Sequence, residues 1–377
     1  MIKKLYHIYR SQETNFERAL GEILCAIAAE NKRVIRIVFF GSPADNDEFA
    51  EQRQKIELAT RAEFSNAPML AYVAQAPLCS TLAAEVTTIA EEDIKAIVYH
   101  EDYILINGSE IISAGIYSDT SLGIDQQADA IFERIDQILK NESIKVDDIV
   151  RQWNYIEHIT HLSERGQHYQ LFNDSRSQFY NTTQWDNGYP AATGIGTQTG
   201  GVVVVFDAVR DSKQCSTAID NPLQISAHAY SQQVLINNTD AHKTTPKFER
   251  ARHIEGEEQM IYISGTAAIR GEDSCQQDIV GQTALTMENI DHLISTENQV
   301  ASGIKHPAKM EYATMRAYLK YCDNLGDVTA WIDEHYPKMQ TLYLWADICR
   351  CQSRLFRLCQ LSILRKLYHI EEQYRLR

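Results

Sequence analysis

Apolar residues in the first third of the chain alternate between helical and extended patterns. Ala19-Leu20, Ile23-Leu24 and Ile27-Ala28 recur at three and four residues, which predicts a helix over 19–30. Val34 to Phe40 is a run of β-branched and aromatic residues, read as a strand that stops at Gly41-Ser42-Pro43. Asp45, Asp47 and Glu48 open a helix to about Phe64, because acidic side chains favour the positive end of a helix. Strands follow at 69–73, 81–89 and 96–106. Asn107-Gly108 is a two-residue hairpin signal that leads into a strand at 111–116. A helix carrying Ile131, Ile135, Ile138 and Leu139 ends near Asn141, and the polar segment 141–148 reads as a domain boundary.

The second half begins with a predicted helix, Val150 to Leu162, and a loop carrying Tyr169, Asn173, Arg176 and Tyr180. Strands are predicted at 201–209, 222–230, 247–255 and 260–264, and a helix at 276–294. Strand 311–322, helix 325–336 and strand 341–349 then repeat the order of strand 34–40, helix 48–64 and strand 69–75. Such self-similarity predicts a duplicated α+β unit, with mixed sheets and helices packed on one face. The divisions expected are 1–145, 150–350 and a C-terminal tail, 351–377.

The stretch from Tyr189 to Phe206 is the most distinctive. Tyr189-Pro190-Ala191-Ala192-Thr193-Gly194-Ile195-Gly196 and Gly200-Gly201 form a small-residue loop that feeds the apolar run Val202–Phe206. A phosphate loop would follow a strand and open a helix. Here the glycines precede the strand, so nucleotide binding is not the reading. Ser264-Gly265-Thr266-Ala267 is a second run of small residues after a strand.

Composition narrows the chemistry. With 44% hydrophobic and 23% charged residues the chain is an ordinary globular protein. Its net charge of −15 argues against bulk nucleic-acid binding, although a few buried arginines can still dominate a pocket. Met1-Ile2-Lys3-Lys4 is followed by Tyr, His and Arg rather than by an apolar run, no apolar run is long enough to span a bilayer, and eight cysteines lack zinc spacing. A cytoplasmic protein with reduced thiols and no metal is expected. Arg176 and Arg250 lie among aromatic residues rather than in charge runs, where a guanidinium fork suits a carboxylate. The histidines have no metal or catalytic spacing, and no G-x-S-x-G elbow occurs.

Taken together, these pieces resemble the chorismatases, chorismate-hydrolysing enzymes built on the RidA (YjgF) fold. The resemblance rests on Trp153 onward, Asn173–Tyr180, Tyr189–Gly196, Asn221–Gln224, Phe248–Ala251, Ile263–Ala267, the helix with Gln282 and Asn289-Ile290, and Ala346–Arg350. It implies two RidA-like units, with the pocket in the second. It also implies that Arg176 and Arg250 grip the two carboxylates of a small, anionic, chorismate-like metabolite. Tyr180, Thr193, Gly194, Gly196, Ser264, Gly265, Thr266 and Ala267 would line the pocket, with no cofactor. Cys349 would be the catalytic cysteine of the branch that makes 3-hydroxybenzoate, and the protein a monomer or homo-oligomer.

The chain departs from this pattern near its end. The family continues with a catalytic glutamate seven residues beyond the cysteine, and Phe356 stands there; no Asp or Glu occurs from Arg350 to Ile370. From Arg350 onward seven Arg or Lys face two acids, and Leu355, Leu358, Leu361, Leu364 and Leu367 recur every three residues. The tail is therefore a basic amphipathic segment that would pack on its own domain or touch an anionic surface. Three readings stay open: a chorismatase, a binder of a dicarboxylate metabolite that has lost hydrolysis, and a RidA-type imine deaminase.

Overall fold

The computed structural model describes residues 2–231, 244–256, 258–275 and 277–348, with the backbone of 361–364. The chain opens with β1 (Lys4–Ser11), α1 (Phe16–Ala29), β2 (Arg33–Phe40), α2 (Asn46–Glu63), β3 (Met69–Val73) and β4 (Leu82–Ile89). These strands form one sheet in the order β1-β4-β2-β3. β4 is antiparallel to both β1 and β2, whereas β2 and β3 are parallel because α2 carries the chain back between them. Asn15 and Asp45 cap the two helices, each accepting a backbone N–H of the first turn.

The middle of the chain repeats this plan. After β5 (Ile97–Tyr99) and β6 (Tyr103–Ile106) come β7 (Glu110–Ser113), β8 (Ile116–Tyr117) and α3 (Ile124–Asn141). Then follow β9 (Ile149–Glu157), the short β10 (Leu162–Ser163) and β11 (Gly166–Gln167), α4 (His168–Tyr180), β12 (Ala191–Thr197) and β13 (Val202–Val209). Within this sheet the run β7-β13-β9-β12 has the same two antiparallel pairings and one parallel pairing.

A third copy closes the chain. It comprises β14 (Ser216–Ile219), β15 (Ala251–Ile254), β16 (Met260–Ile263), β17 (Ile269–Arg270), β18 (Asp273–Ser274) and α5 (Ile279–Ile294). After these come α6 (Thr296–Ala301), β19 (Tyr312–Leu319), α7 (Leu325–His335), β20 (Gln340–Trp345) and β21 (Leu361–Leu364). The run β16-β21-β19-β20 again has two antiparallel pairings and one parallel. The α+β class and the echo of the first unit in the last are as expected. The pattern also recurs in the middle, so the boundary expected at 141–148 falls inside a unit, between α3 and β9, with strands of one sheet on both sides.

Several local expectations are corrected. Val150–Leu162 is not a helix but holds β9, buried on both faces between β12 and β13. Its apolar spacing admitted either period, and pairing on both edges decided it. The expected loop with Tyr169, Asn173, Arg176 and Tyr180 is α4, and those numbers are separated by four, three and four, as one helical face requires. The small-residue loop of 191–197 is itself a strand; its turn is at Gly200-Gly201, both with positive φ. The strand expected at 222–230 is a turn: Asn221 donates to the Asn289 carbonyl at 2.9 Å, and the strand lies earlier, at β14. The expected strand 96–106 is the hairpin β5–β6.

Helices cover one face of each copy, and the opposite faces meet at a buried, charged centre. Arg36 of β2 donates to Asp207 of β13 at 2.5 Å, and Lys4 of β1 pairs with Glu110 of β7. Arg316 of β19 pairs with Glu85 of β4 and donates to the Tyr155 hydroxyl at 2.6 Å. Each of these bonds joins two different copies. Burial alone would raise the Asp207 carboxyl, but Arg36 and Lys4 outweigh it and hold it below its ordinary range.

Candidate active site

β12 is an outer strand of its sheet, and its small residues let other segments reach its open edge. Ala191 is bridged to Glu249, and the Ala192 N–H donates to Ser264 Oγ at 2.9 Å. Farther along, Ile195 is bridged to Ile348, and the Gly196 N–H donates to the Asp347 carbonyl at 2.9 Å. A Cβ on Gly196 would stand 2.7 Å from that carbonyl oxygen, so only glycine allows the approach. Between these two contacts lie Thr193 and Gly194. Gly194 faces α4, where a Cβ would come within 3.0 Å of the Tyr169 ring. Thr193 faces the centre, and its hydroxyl accepts from Arg151 at 3.1 Å.

Arg176 lies on α4 and is 1% exposed. It donates to Asn173 Oδ1 at 2.6 Å, its guanidinium lies 5.6 Å from the Phe172 ring, and Nε has no partner among the described residues. No carboxylate among those residues pairs with it. Its neighbours are Tyr180, Tyr189 and Lys247. Burial raises both tyrosine hydroxyls, and Arg176 partly offsets that rise. Lys247 lies 5.6 Å from the centre of the Tyr189 ring, and burial followed by repulsion from Arg176 lowers its pKa. Two cations thus converge beside one aromatic ring, an arrangement suited to an anion.

Arg250 is equally buried but better satisfied. It donates to the Tyr230 hydroxyl at 2.7 Å and to the Ile225 carbonyl, and its guanidinium lies 5.5 Å from the Tyr230 ring. Its Nε, too, is unpartnered among the described residues. Tyr189 and His228, 5.7 Å apart, stand between the surroundings of the two arginines.

The other expected residues divide by role. The Ser264 hydroxyl donates to the Glu249 carbonyl at 2.5 Å, and Thr266 Oγ1 donates to the Ser264 carbonyl at 3.0 Å, so both are engaged in shaping the turn. Gly265 reaches the Ala192 carbonyl at 3.4 Å, and the Ala267 carbonyl accepts from Asn289 at 3.0 Å. Tyr180 donates to Gln152 at 2.9 Å and stacks on Tyr189 at 6.0 Å. Cys349, Phe356 and the tail from 351 lie outside the residues whose side chains are described. Sequence reasoning missed Lys247, Glu249 and Arg252, although the interleaving Lys247-Phe248-Glu249-Arg250-Ala251-Arg252 was a usable signal.

Comparison with known proteins shows what the chain as a whole is similar to. The family profile described as chorismatase FkbO/Hyg5-like, N-terminal, matches residues 84–208. A 3-hydroxybenzoate synthase of Streptomyces hygroscopicus is 27% identical over 219 residues, covering 55% of this chain and 62% of that protein. A chorismatase of Streptomyces rapamycinicus is 26% identical over 210 residues, covering 54% and 60%. The chain therefore spans about three fifths of the length of these curated relatives. A crystal structure of a chorismatase superposes with a TM-score of 0.70 at 18% identity, covering 96% of this chain and 98% of that one. That likeness shows a shared fold.

Proposed function

We propose that this chain, similar to the chorismatases in sequence and sharing their fold, binds chorismate at the β12 edge and releases its enolpyruvyl group as pyruvate. The observation that carries the proposal is Arg176, a guanidinium 1% exposed with no carboxylate partner among the described residues. Burying a charge without a counter-ion costs several kcal/mol, roughly, so such a site is made for an incoming anion. Arg176 with Lys247 would take one carboxylate and Arg250 the other. Tyr180 and Tyr189 would present ring faces to the cyclohexadiene.

The chemistry requires a proton on the enol methylene carbon and stabilisation of the cation that develops beside the ether oxygen. Water then adds, and the hemiketal collapses to pyruvate and a dihydroxycyclohexadiene carboxylate. In the alternative outcome pyruvate leaves as the ring aromatises to 3-hydroxybenzoate, with Cys349 in the role the resemblance gives it. Phe356, standing where that family has its acid, favours the second reading, in which the pocket binds chorismate and protonates it slowly. Incubating the protein with chorismate and following pyruvate through lactate dehydrogenase tests the proposal. Pyruvate release above background supports an enzyme, tight binding without release supports the binder, and the absence of both overturns the proposal.

A further inference from the structure

We infer that Arg252, which none of the expected roles includes, is the positioning residue that sets Tyr189 against the candidate pocket. Arg252 is wholly buried on β15, two residues beyond Arg250. Its Nη1 donates to three consecutive carbonyls, those of Asn187 at 3.1 Å, Gly188 at 2.9 Å and Tyr189 at 2.9 Å. Nε and Nη2 are both held by Ser216 Oγ, at 3.1 and 2.9 Å. One planar group is thus fixed on one side by β14 and grips the loop before β12 on the other.

A second group completes the clamp. Glu249 Oε1 accepts the Tyr189 N–H at 3.0 Å, so the peptide on each side of Tyr189 is tied to the same segment, 249–252. Gly188 makes this possible: its φ is +75, and a Cβ there would stand 2.9 Å from Glu249 Oε1. The loop is therefore held by its backbone, leaving the Tyr189 ring free to face Tyr180, Lys247 and His228. A lysine at 252 would supply a charge without the fork that spans three carbonyls and a hydroxyl. Arg252 acts only through Tyr189 and the start of β12, so its loss should impair substrate binding more than the chemical step. This role rests on the proposed function, because the ligand whose binding it serves is chorismate.

The test uses the full chain with Arg252→Lys and, as a milder variant, Ser216→Ala. Hydrogen exchange read by mass spectrometry over 181–190 reports the clamp without any ligand; chorismate KM and kcat, or the calorimetric Kd, report its use. Arg252→Lys is expected to speed exchange in that segment at least about tenfold and raise KM or Kd about tenfold, with kcat within about threefold. Ser216→Ala should move both in the same direction by less, which keeps the test valid if Arg252→Lys fails to fold. Faster exchange with unchanged KM or Kd would mean that the clamp is structural only, and unchanged exchange would mean that no clamp exists; either overturns the inference. If the unmodified protein neither binds nor turns over chorismate, the proposed function falls and exchange alone decides whether the clamp exists.

Discussion

The parallel edge strands β3 and β12 occupy equivalent places in the first and middle copies, yet their open edges are used differently. At β3 the Leu70 carbonyl accepts the Gly115 N–H at 2.8 Å, and the Tyr72 N–H donates to the Tyr117 hydroxyl at 2.7 Å. The Tyr117 ring fills the space, with the Arg53 guanidinium 4.4 Å from its centre and Glu57 3.8 Å from that arginine. At β12 the neighbouring segments bond before Thr193 and after Gly194, and the helix arginine in this case, Arg176, has no acid paired with it among the described residues. The third copy resembles the first: Leu78 and Trp345 bond across the β20 edge, each at 2.9 Å. One fold unit used three times thus yields two edges closed by the chain and one furnished with cations. What separates them is which side chain arrives at the edge, not the sheet.

Four substitutions test that contrast. The largest effect is expected at the furnished edge: Arg250→Ala should weaken chorismate binding by about 2–5 kcal/mol, the usual cost of removing one member of a desolvated charge pair. Calorimetry reads it, and lysine should rescue poorly. At the closed edge, Tyr117→Ala should lower stability by about 2 kcal/mol, less than for a fully buried aromatic ring, and leave chorismate affinity unchanged. Denaturant melts and calorimetry on the same sample would separate the two effects. Phe356→Glu restores an acid at the position where the resemblance puts the family's proton donor, and should raise pyruvate release at least about tenfold. Steady release from the natural sequence that this variant cannot improve would show that another group supplies the proton. The smallest effect belongs to Arg53→Ala: its partly exposed pair with Glu57 is worth roughly 0–1 kcal/mol, and binding should not change.

The sequence carried the class of fold through hydrophobic period and the order of elements, and it exposed the first and last copies because each shows a strand, a helix and a strand in direct succession. The middle copy was hidden by two reversals. β9 is apolar at helical spacing, so its strand character came only from β12 and β13 on its two edges. α4 is polar and aromatic, and its face was recognisable only by counting from Tyr169 to Tyr180. Arg176 and Arg250 stood out because aromatic neighbours mark a guanidinium that is held. Arg252 did not, since its partners, Asn187 to Tyr189 and Ser216, are more than thirty residues away and mostly backbone carbonyls. Lys247 was missed for the same reason: its position beside Tyr189 exists only once β12 and the segment before β15 are side by side.

The central claim, that the β12 edge is open to a dianion where those of β3 and β20 are closed, is tested most directly by calorimetric titration of chorismate into the natural protein and the Arg176→Ala/Arg250→Ala double variant. The account predicts one site per chain in the natural protein and no measurable binding in the double variant. Undiminished binding in the double variant, or a stoichiometry of three, would contradict it.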